Sequence, residues 1–222
     1  MKEILVVEKI LKANDAVAES NRLEFARRGI LVINLMGTPG SGKTALLERT
    51  CVSLRDRTIG VSVIEGDIAT TNDAQRLSDK GVQVVQINTD RFGNACHLDA
   101  SMVCSACCSL NLEDREILFI ENVGNLVCPA GFDLGESFRV VVLSVTEGED
   151  KPLKYPVIFR SAHAVILNKT DLLPHLDVSV EQIKMNVLSV QPRCLVFPVS
   201  ARTGDGFQRW VDWLVGSGKS LG

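Results

Sequence analysis

The sequence lacks any apolar run long enough to cross a bilayer: the longest, Val140 to Val145, falls far short of the roughly 20 residues that a spanning helix needs. Residues Met1 to Lys12 alternate short apolar runs with charges and carry neither the apolar core nor the small-residue cleavage site of an export signal. Both absences predict a soluble, cytoplasmic protein with no membrane partner. An excess of positive charge is missing as well. With 24 Lys+Arg against 27 Asp+Glu the net charge is −3, which excludes the electrostatic footprint of a nucleic-acid binder. No internal repeat and no low-complexity linker divides the chain. Proline and glycine are absent from Lys2 to Arg28, so a helical leader is expected there, although the spacing of Val17, Asn21, Glu24 and Arg28 shows no clean apolar face.

What is present describes a packed protein. Of 222 residues, 45% are hydrophobic and 23% charged, too apolar for disorder and close to the size limit of one core. We therefore expect one domain, with residues 1–28 as a helical leader packed on a main domain of residues 29–222. From Gly29 onward, apolar runs rich in β-branched residues recur at Ile30 to Met36, Val61 to Glu65, Val82 to Ile87, Ile117 to Glu121, Val140 to Val145, Ala164 to Leu167 and Cys194 to Val199. Runs of this kind suit strands buried on both faces of a parallel sheet. Helices are expected between them, at Gly42 to Arg55, Asn72 to Lys80, Leu98 to Ser109 and Val178 to Val190, with a last one from Gly206 to Val215. The fold class is α/β, a mostly parallel sheet flanked by helices, with ligands at the carboxyl ends of the strands.

Directly after the first strand, Gly37-Thr38-Pro39-Gly40-Ser41-Gly42-Lys43-Thr44 fits the phosphate-loop pattern G-x-x-x-x-G-K-[ST] and opens a helix. The glycines let backbone N–H groups turn toward phosphate oxygens at the positive end of the helix dipole. Lys43 would pair with the β- and γ-phosphates, and the Thr44 hydroxyl with Mg²⁺. The bland alternative is a glycine-rich turn into a helix. Asn168-Lys169-Thr170-Asp171, after the strand Ala164 to Leu167, resembles the N-K-x-D tetrad of GTPases, whose carboxylate accepts from two guanine donors that adenine lacks. Ser200-Ala201-Arg202 ends a later strand and resembles the S-A-[KR] loop that meets guanine O6 through backbone N–H. The three motifs in this order select GTP.

Glu121-Asn122-Val123-Gly124 stands in the D-x-x-G place with Glu for Asp, so Glu121 is a candidate for Mg²⁺ and Gly124 for the γ-phosphate. Asp67, at the end of a neighbouring strand, is a second metal candidate, and Asp73 could position water; the alternatives are a surface turn and a helix N-cap respectively. No Gln stands ready to orient water, which predicts slow hydrolysis until a partner or second subunit completes the site.

Cys96-His97 and Cys128-Pro129 bracket this region. Thiolate and imidazole suit Zn²⁺ and Ni²⁺, and three ligands per chain make a site that is open or shared between subunits. Buried structural thiols with a nearby His are the alternative from residue types alone. In a reducing compartment seven cysteines are thiols or metal ligands rather than a disulfide framework.

The runs Gly93 to Ala100, Phe119 to Pro129 and Thr146 to Pro156 resemble the HypB family, GTPases that insert nickel into [NiFe]-hydrogenase, over about Ala13 to Leu214. This resemblance implies a SIMIBI-class P-loop fold with nucleotide between two facing subunits. It also implies that Cys96, His97 and Cys128 bind nickel or zinc at a GTP-dependent homodimer interface. A HypA-type nickel-delivery protein and a hydrogenase large-subunit precursor are the implied partners. Three departures stand out. Asn94-Ala95 replaces the Lys-Glu often seen before Cys-His, residues 1–28 contain neither Cys nor His for nickel storage, and Cys104, Cys107 and Cys108 have no family counterpart among ligands. Cys104 and Cys108 share a helix face at i, i+4, but we expect buried thiols there. The related urease-accessory GTPase resembles a Cys-Pro-His run, whereas Pro129 is followed by Ala130; a cobalamin-mutase chaperone leaves Cys96 and His97 without a task. A regulatory GTP-binding module with structural cysteines is the non-enzymatic alternative.

Overall fold

A computed structural model describes residues 2–67, 72–89, 96–114 and 116–219, with the side chains of residues 2–7, 67, 72, 73 and 219 outside that description. Strands β1 (Leu31–Gly37), β2 (Val61–Asp67), β3 (Gln83–Asn88), β4 (Ile117–Glu121), β5 (Phe138–Ser144), β6 (Ala164–Asn168) and β7 (Leu195–Pro198) form one sheet in the order β3-β2-β4-β1-β5-β6-β7. Every pairing is parallel. β1, β4 and β6 are buried at every position, as strands covered by helices on both faces must be.

The covering helices are α1 (Lys2–Arg28), α2 (Lys43–Arg55), α3 (Asn72–Ser78), α4 (Ala100–Cys107), α5 (Lys151–Lys154), α6 (Pro156–Ser161), α7 (Val180–Val190) and α8 (Phe207–Lys219). Leu46, Leu47 and Leu54 of α2 and Trp210 and Leu214 of α8 fill one face of β1 and its neighbours. Fully burying such a side chain contributes roughly 1.5–3 kcal/mol. The indole N–H of Trp210 donates to Thr50 Oγ1 at 3.0 Å, so its one polar atom is satisfied within that core.

α1 docks by polar contacts that an apolar period does not reveal. Its inward residues are Asn14, Ala18, Asn21 and Phe25. Asn14 Oδ1 accepts the Ala100 N–H at 2.9 Å, and Asn21 Nδ2 donates to the carbonyls of Ala100 and Leu134 at 2.9 and 3.1 Å. Asn14 thereby satisfies the Ala100 N–H, one of the orphan donors at the start of α4, and Asn21 joins that helix start to the Leu134 carbonyl.

Element ends differ from expectation where a local cap intervenes. Asp99 caps α4 by accepting the Met102 N–H at 2.8 Å, so that helix starts at Ala100 rather than Leu98. β5 stops at Ser144, because the Ser144 and Glu147 side chains form a capping box that turns Val145–Glu147 into a 3-10 helix. α3 begins at Asn72, which makes Asp73 its second residue and not its cap. Among the described residues no helix is long and apolar enough to cross a membrane.

Candidate functional site

The site lies where strand order reverses, at the carboxyl ends of β1, β4 and β2. The loop leaving β1 enters α2 through Gly42, whose φ of 93° is left-handed and beside which a Cβ would meet Asn168 Nδ2 at 2.4 Å. Only glycine fits there. Lys43 is buried and its Nζ donates to the carbonyls of Gly37 and Thr38 at 3.4 and 3.3 Å, which folds the ammonium back over the loop. Ser41 is buried and Gly40 carries φ +77°, so the expected phosphate-loop residues are gathered as one turn at the start of a helix. A cleft of about 440 Å³ opens above them, lined also by Glu65, Arg76, Glu121 and Gly124.

Two carboxylates line this cleft. Thr44 Oγ1 donates to Glu121 Oε1 at 3.0 Å. The register pairs Glu65 with Glu121, so both side chains leave the sheet on one face at one level, and both are buried. Oxygen donors from a hydroxyl and carboxylates suit a hard cation such as Mg²⁺. Glu65 is a candidate the sequence reading passed over in favour of Asp67; its signal was a carboxylate directly after the apolar pair Val63-Ile64 and before Gly66 near the carboxyl end of β2. The side chains of Asp67 and Asp73 lie outside the described residues.

The residues that resemble the N-K-x-D tetrad and the S-A-[KR] loop form a second group. Asp171 Oδ1 accepts from Ser200 Oγ at 2.6 Å, and Arg202 Nη1 stands 3.6 Å from Oδ2. The Ser200 hydroxyl, first, and the Arg202 charge hold the Asp171 carboxyl below its usual range, so it stays an ionised acceptor. Asn168 spends its amide on the backbone: Nδ2 donates to Ser41 O at 3.0 Å and Oδ1 accepts from Ala201 N at 3.1 Å. Lys169 Nζ donates to Gly40 O at 2.6 Å. Asn168 and Lys169 thereby tie the phosphate loop to the base loop.

Cys96, His97 and Cys128 come together, with one ligand atom from each within 4.8 Å of the others and Cys96 Sγ 3.8 Å from His97 Nδ1. The Cys96 thiol is pushed up, first by its hydrogen bond with Cys128 and then by burial. Burial lowers His97, which keeps its imidazole neutral and able to ligate. The ring stacks on Phe132 with centroids 3.8 Å apart. Sulfur and imidazole donors of this count suit Zn²⁺ or Ni²⁺.

Two asparagines that sequence reasoning missed join the sites. Asn122 Oδ1 accepts the N–H of Leu98, next to His97, at 3.2 Å, and its Nδ2 donates to Asn34 Oδ1 in β1 at 3.2 Å. Asn125 forms a backbone bridge with Gly37, the first glycine of the phosphate loop, while its Nδ2 reaches the Cys96 carbonyl at 3.5 Å. Cys104 and Cys108 correct an expectation: both are exposed, and only Cys107 of that trio turns inward. The inward positions of α4 are taken by Ala100, Val103 and Ala106, which leaves residues 104 and 108 on the outer face.

Comparison with known proteins agrees with this geometry. Residues 31–198 match the family model of the CobW/HypB/UreG nucleotide-binding domain. The hydrogenase maturation factor HypB of Rhizobium leguminosarum bv. viciae is 56% identical over 212 residues, 95% of this chain and 70% of that protein. The hydrogenase/urease maturation factor HypB of Helicobacter hepaticus (strain ATCC 51449 / 3B1) is 43% identical over 217 residues, 96% of this chain and 87% of that protein. The crystal structure of HypB from Helicobacter pylori in complex with nickel superposes with a TM-score of 0.87 at 39% identity, covering 94% of this chain and 96% of that one. The fold is that of the SIMIBI P-loop class, and the chain belongs to the CobW/HypB/UreG family of nucleotide-binding proteins, among its HypB members.

Proposed function

We propose that this protein is a GTP-hydrolysing metallochaperone that carries nickel, or zinc, and assists nickel insertion into [NiFe]-hydrogenase. In this reading residues 1–28 are a helical arm on a single GTP-binding domain. The proteins it works with are a second copy of itself, a HypA-type delivery protein and the hydrogenase large-subunit precursor, all in the cytoplasm. The family match and the nickel complex of the Helicobacter pylori relative support the cargo. Asn125 supports the coupling: it links the first glycine of the phosphate loop to the carbonyl of a thiol ligand.

In this reading, backbone N–H groups from Gly40 to Thr44 and the Lys43 ammonium bind the triphosphate, and Asp171 accepts from guanine. Thr44, Glu121 and Glu65 would hold Mg²⁺, which when bound would supply positive charge beside the phosphates. Gly124 follows the γ-phosphate. Because residues 125–127 alone separate it from Cys128, movement at the phosphate reaches a thiolate ligand through one short segment. Hydrolysis then loosens or redirects the nickel. Because no Gln directly follows the Glu121–Gly124 segment in the sequence, turnover is slow until a second subunit or partner completes the site.

The test is nickel titration of the GTP-analogue and GDP forms, with the mass of each in solution. A tighter site and a larger assembly with the analogue are expected; equal affinity and stoichiometry in both states remove the switch. Urease is a second possible client, favoured by the name of the Helicobacter hepaticus relative. Measuring rescue of both enzymes by excess nickel after Cys128→Ala separates the clients.

A further inference from the structure

The outer end of α4 carries a pair of thiols that nothing in the nucleotide or nickel chemistry uses. Ala100, Val103 and Ala106 face the core, so the opposite face of the last turn presents Cys104 and Cys108, both exposed. Cys107 between them packs against the apolar cluster of β2, β4 and α1. Cys107 thus turns toward the core while its two neighbours face outward, which leaves it turned away from the pair.

Spacing decides what such a pair can do. Residues at i and i+4 on a helix have Cβ atoms about 5–6 Å apart, whereas a disulfide needs about 3.5–4.5 Å. An S–S bond across this turn therefore strains the helix. A tetrahedral cation with Zn–S bonds of about 2.3 Å places two sulfurs about 3.8 Å apart, a span the two side chains reach by leaning together. The carbonyls of the last helical turn give that end partial negative charge, and no basic side chain occupies the turn. The helix end itself favours a cation, against the Arg28 guanidinium that acts on Cys107 from α1.

We propose that Cys104 and Cys108 form a second cation site, a two-thiolate chelate for Zn²⁺ or another thiophilic divalent ion, separate from Cys96, His97 and Cys128. Binding releases one proton from each thiol and leaves two coordination positions to water or an incoming ligand, so the site accepts and surrenders its ion readily. Nothing in this inference depends on the identity of the hydrogenase client.

The experiment uses the full chain, reduced with a non-thiol reductant, and Cd²⁺ as the probe, read by its thiolate charge-transfer absorption and by native mass. In a Cys96→Ser/Cys128→Ser background we expect one Cd²⁺ per chain with the absorption of two thiolates. Either Cys104→Ser or Cys108→Ser then weakens binding at least tenfold, and Cys107→Ser leaves it unchanged. A parallel titration of the otherwise unsubstituted chain is expected to fall from two ions to one on Cys104→Ser/Cys108→Ser, which keeps the test sound if the background variant folds poorly. Binding indifferent to both outer cysteines, binding that requires Cys107, or half an ion per chain with a dimer mass each overturns the proposal.

Discussion

Gly124 stands against Pro39 of the phosphate loop, so closely that a Cβ built on it meets the proline Cγ at 2.8 Å and the proline nitrogen at 3.0 Å. The D-x-x-G segment and the phosphate loop therefore have no room to move independently. Gly124→Ala forces one of them aside, an overpacking cost of about 1–3 kcal/mol. The expected result is GTP-analogue binding weakened by about tenfold or more by titration calorimetry. Gly131→Ala, on the same connection with nothing within 4 Å of its Cβ, is the control and is expected to bind as wild type. Equal behaviour of the two variants removes the contact from the account.

Asn125 offers a cleaner probe of coupling, because its two attachments separate. The bridge to Gly37 is made by backbone and survives Asn125→Ala; the contact with the Cys96 carbonyl and the 2.8 Å bond from the Val127 N–H to Oδ1 do not. The variant is expected to hold GTP analogue within about threefold of wild type, since the lost bonds are worth only about 0.5–1.5 kcal/mol each and lie outside the phosphate cradle. Its nickel affinity is expected to stop responding to nucleotide. A preserved difference between the analogue and GDP forms would falsify this route.

The sheet was legible because burial on both faces leaves no polar face to confuse the pattern: β1, β4 and β6 read as continuous apolar runs and are buried throughout. The phosphate loop was legible because Gly42 and Lys43 have geometric duties no other residue meets. α1 was legible as a helix but not in its orientation, since Asn14 and Asn21 point inward to serve backbone groups of another element, and no local period encodes that. Cys104 and Cys108 misled for a related reason: cysteine is commonly buried, and only the positions of Val103 and Ala106 decide which face of α4 looks out. The role of Asn125 depends on a bridge across 88 positions of sequence, between Gly37 and Asn125, and so had no local signal.

In the proposed reading base selection rests on the Asp171 carboxylate, which the 2.6 Å bond from Ser200 orients. Asp171→Asn presents an amide donor where guanine also donates, and loses two bonds to a charged acceptor at about 1.5–3 kcal/mol each. GTP-analogue affinity is expected to fall by about two to four powers of ten, with ATP-analogue affinity unchanged. Ser200→Ala keeps the charge and loses the orienting hydroxyl, so a loss near tenfold is expected. Competition between labelled guanine and adenine nucleotides measures both, and unaltered preference for guanine in Asp171→Asn places recognition elsewhere.

Glu116, at the entry to β4, is 4% exposed, and its Oε2 accepts the Glu113 N–H at 3.2 Å. Burial raises its pKa above the ordinary 4.5, against the partial opposition of that N–H. A carboxyl whose folded pKa is raised binds its proton more tightly in the native state. Its contribution to stability is therefore complete below the unfolded value and is lost as pH rises through the folded one. Glu116→Gln removes the titration but keeps the shape. Relative to wild type, the variant is expected to gain stability as pH rises from below the ordinary carboxyl value through the raised one. Thermal melts across that range check it. A Tm difference that is flat with pH, or that turns against the variant on the alkaline side, means the Glu116 carboxylate is solvated or paired when charged.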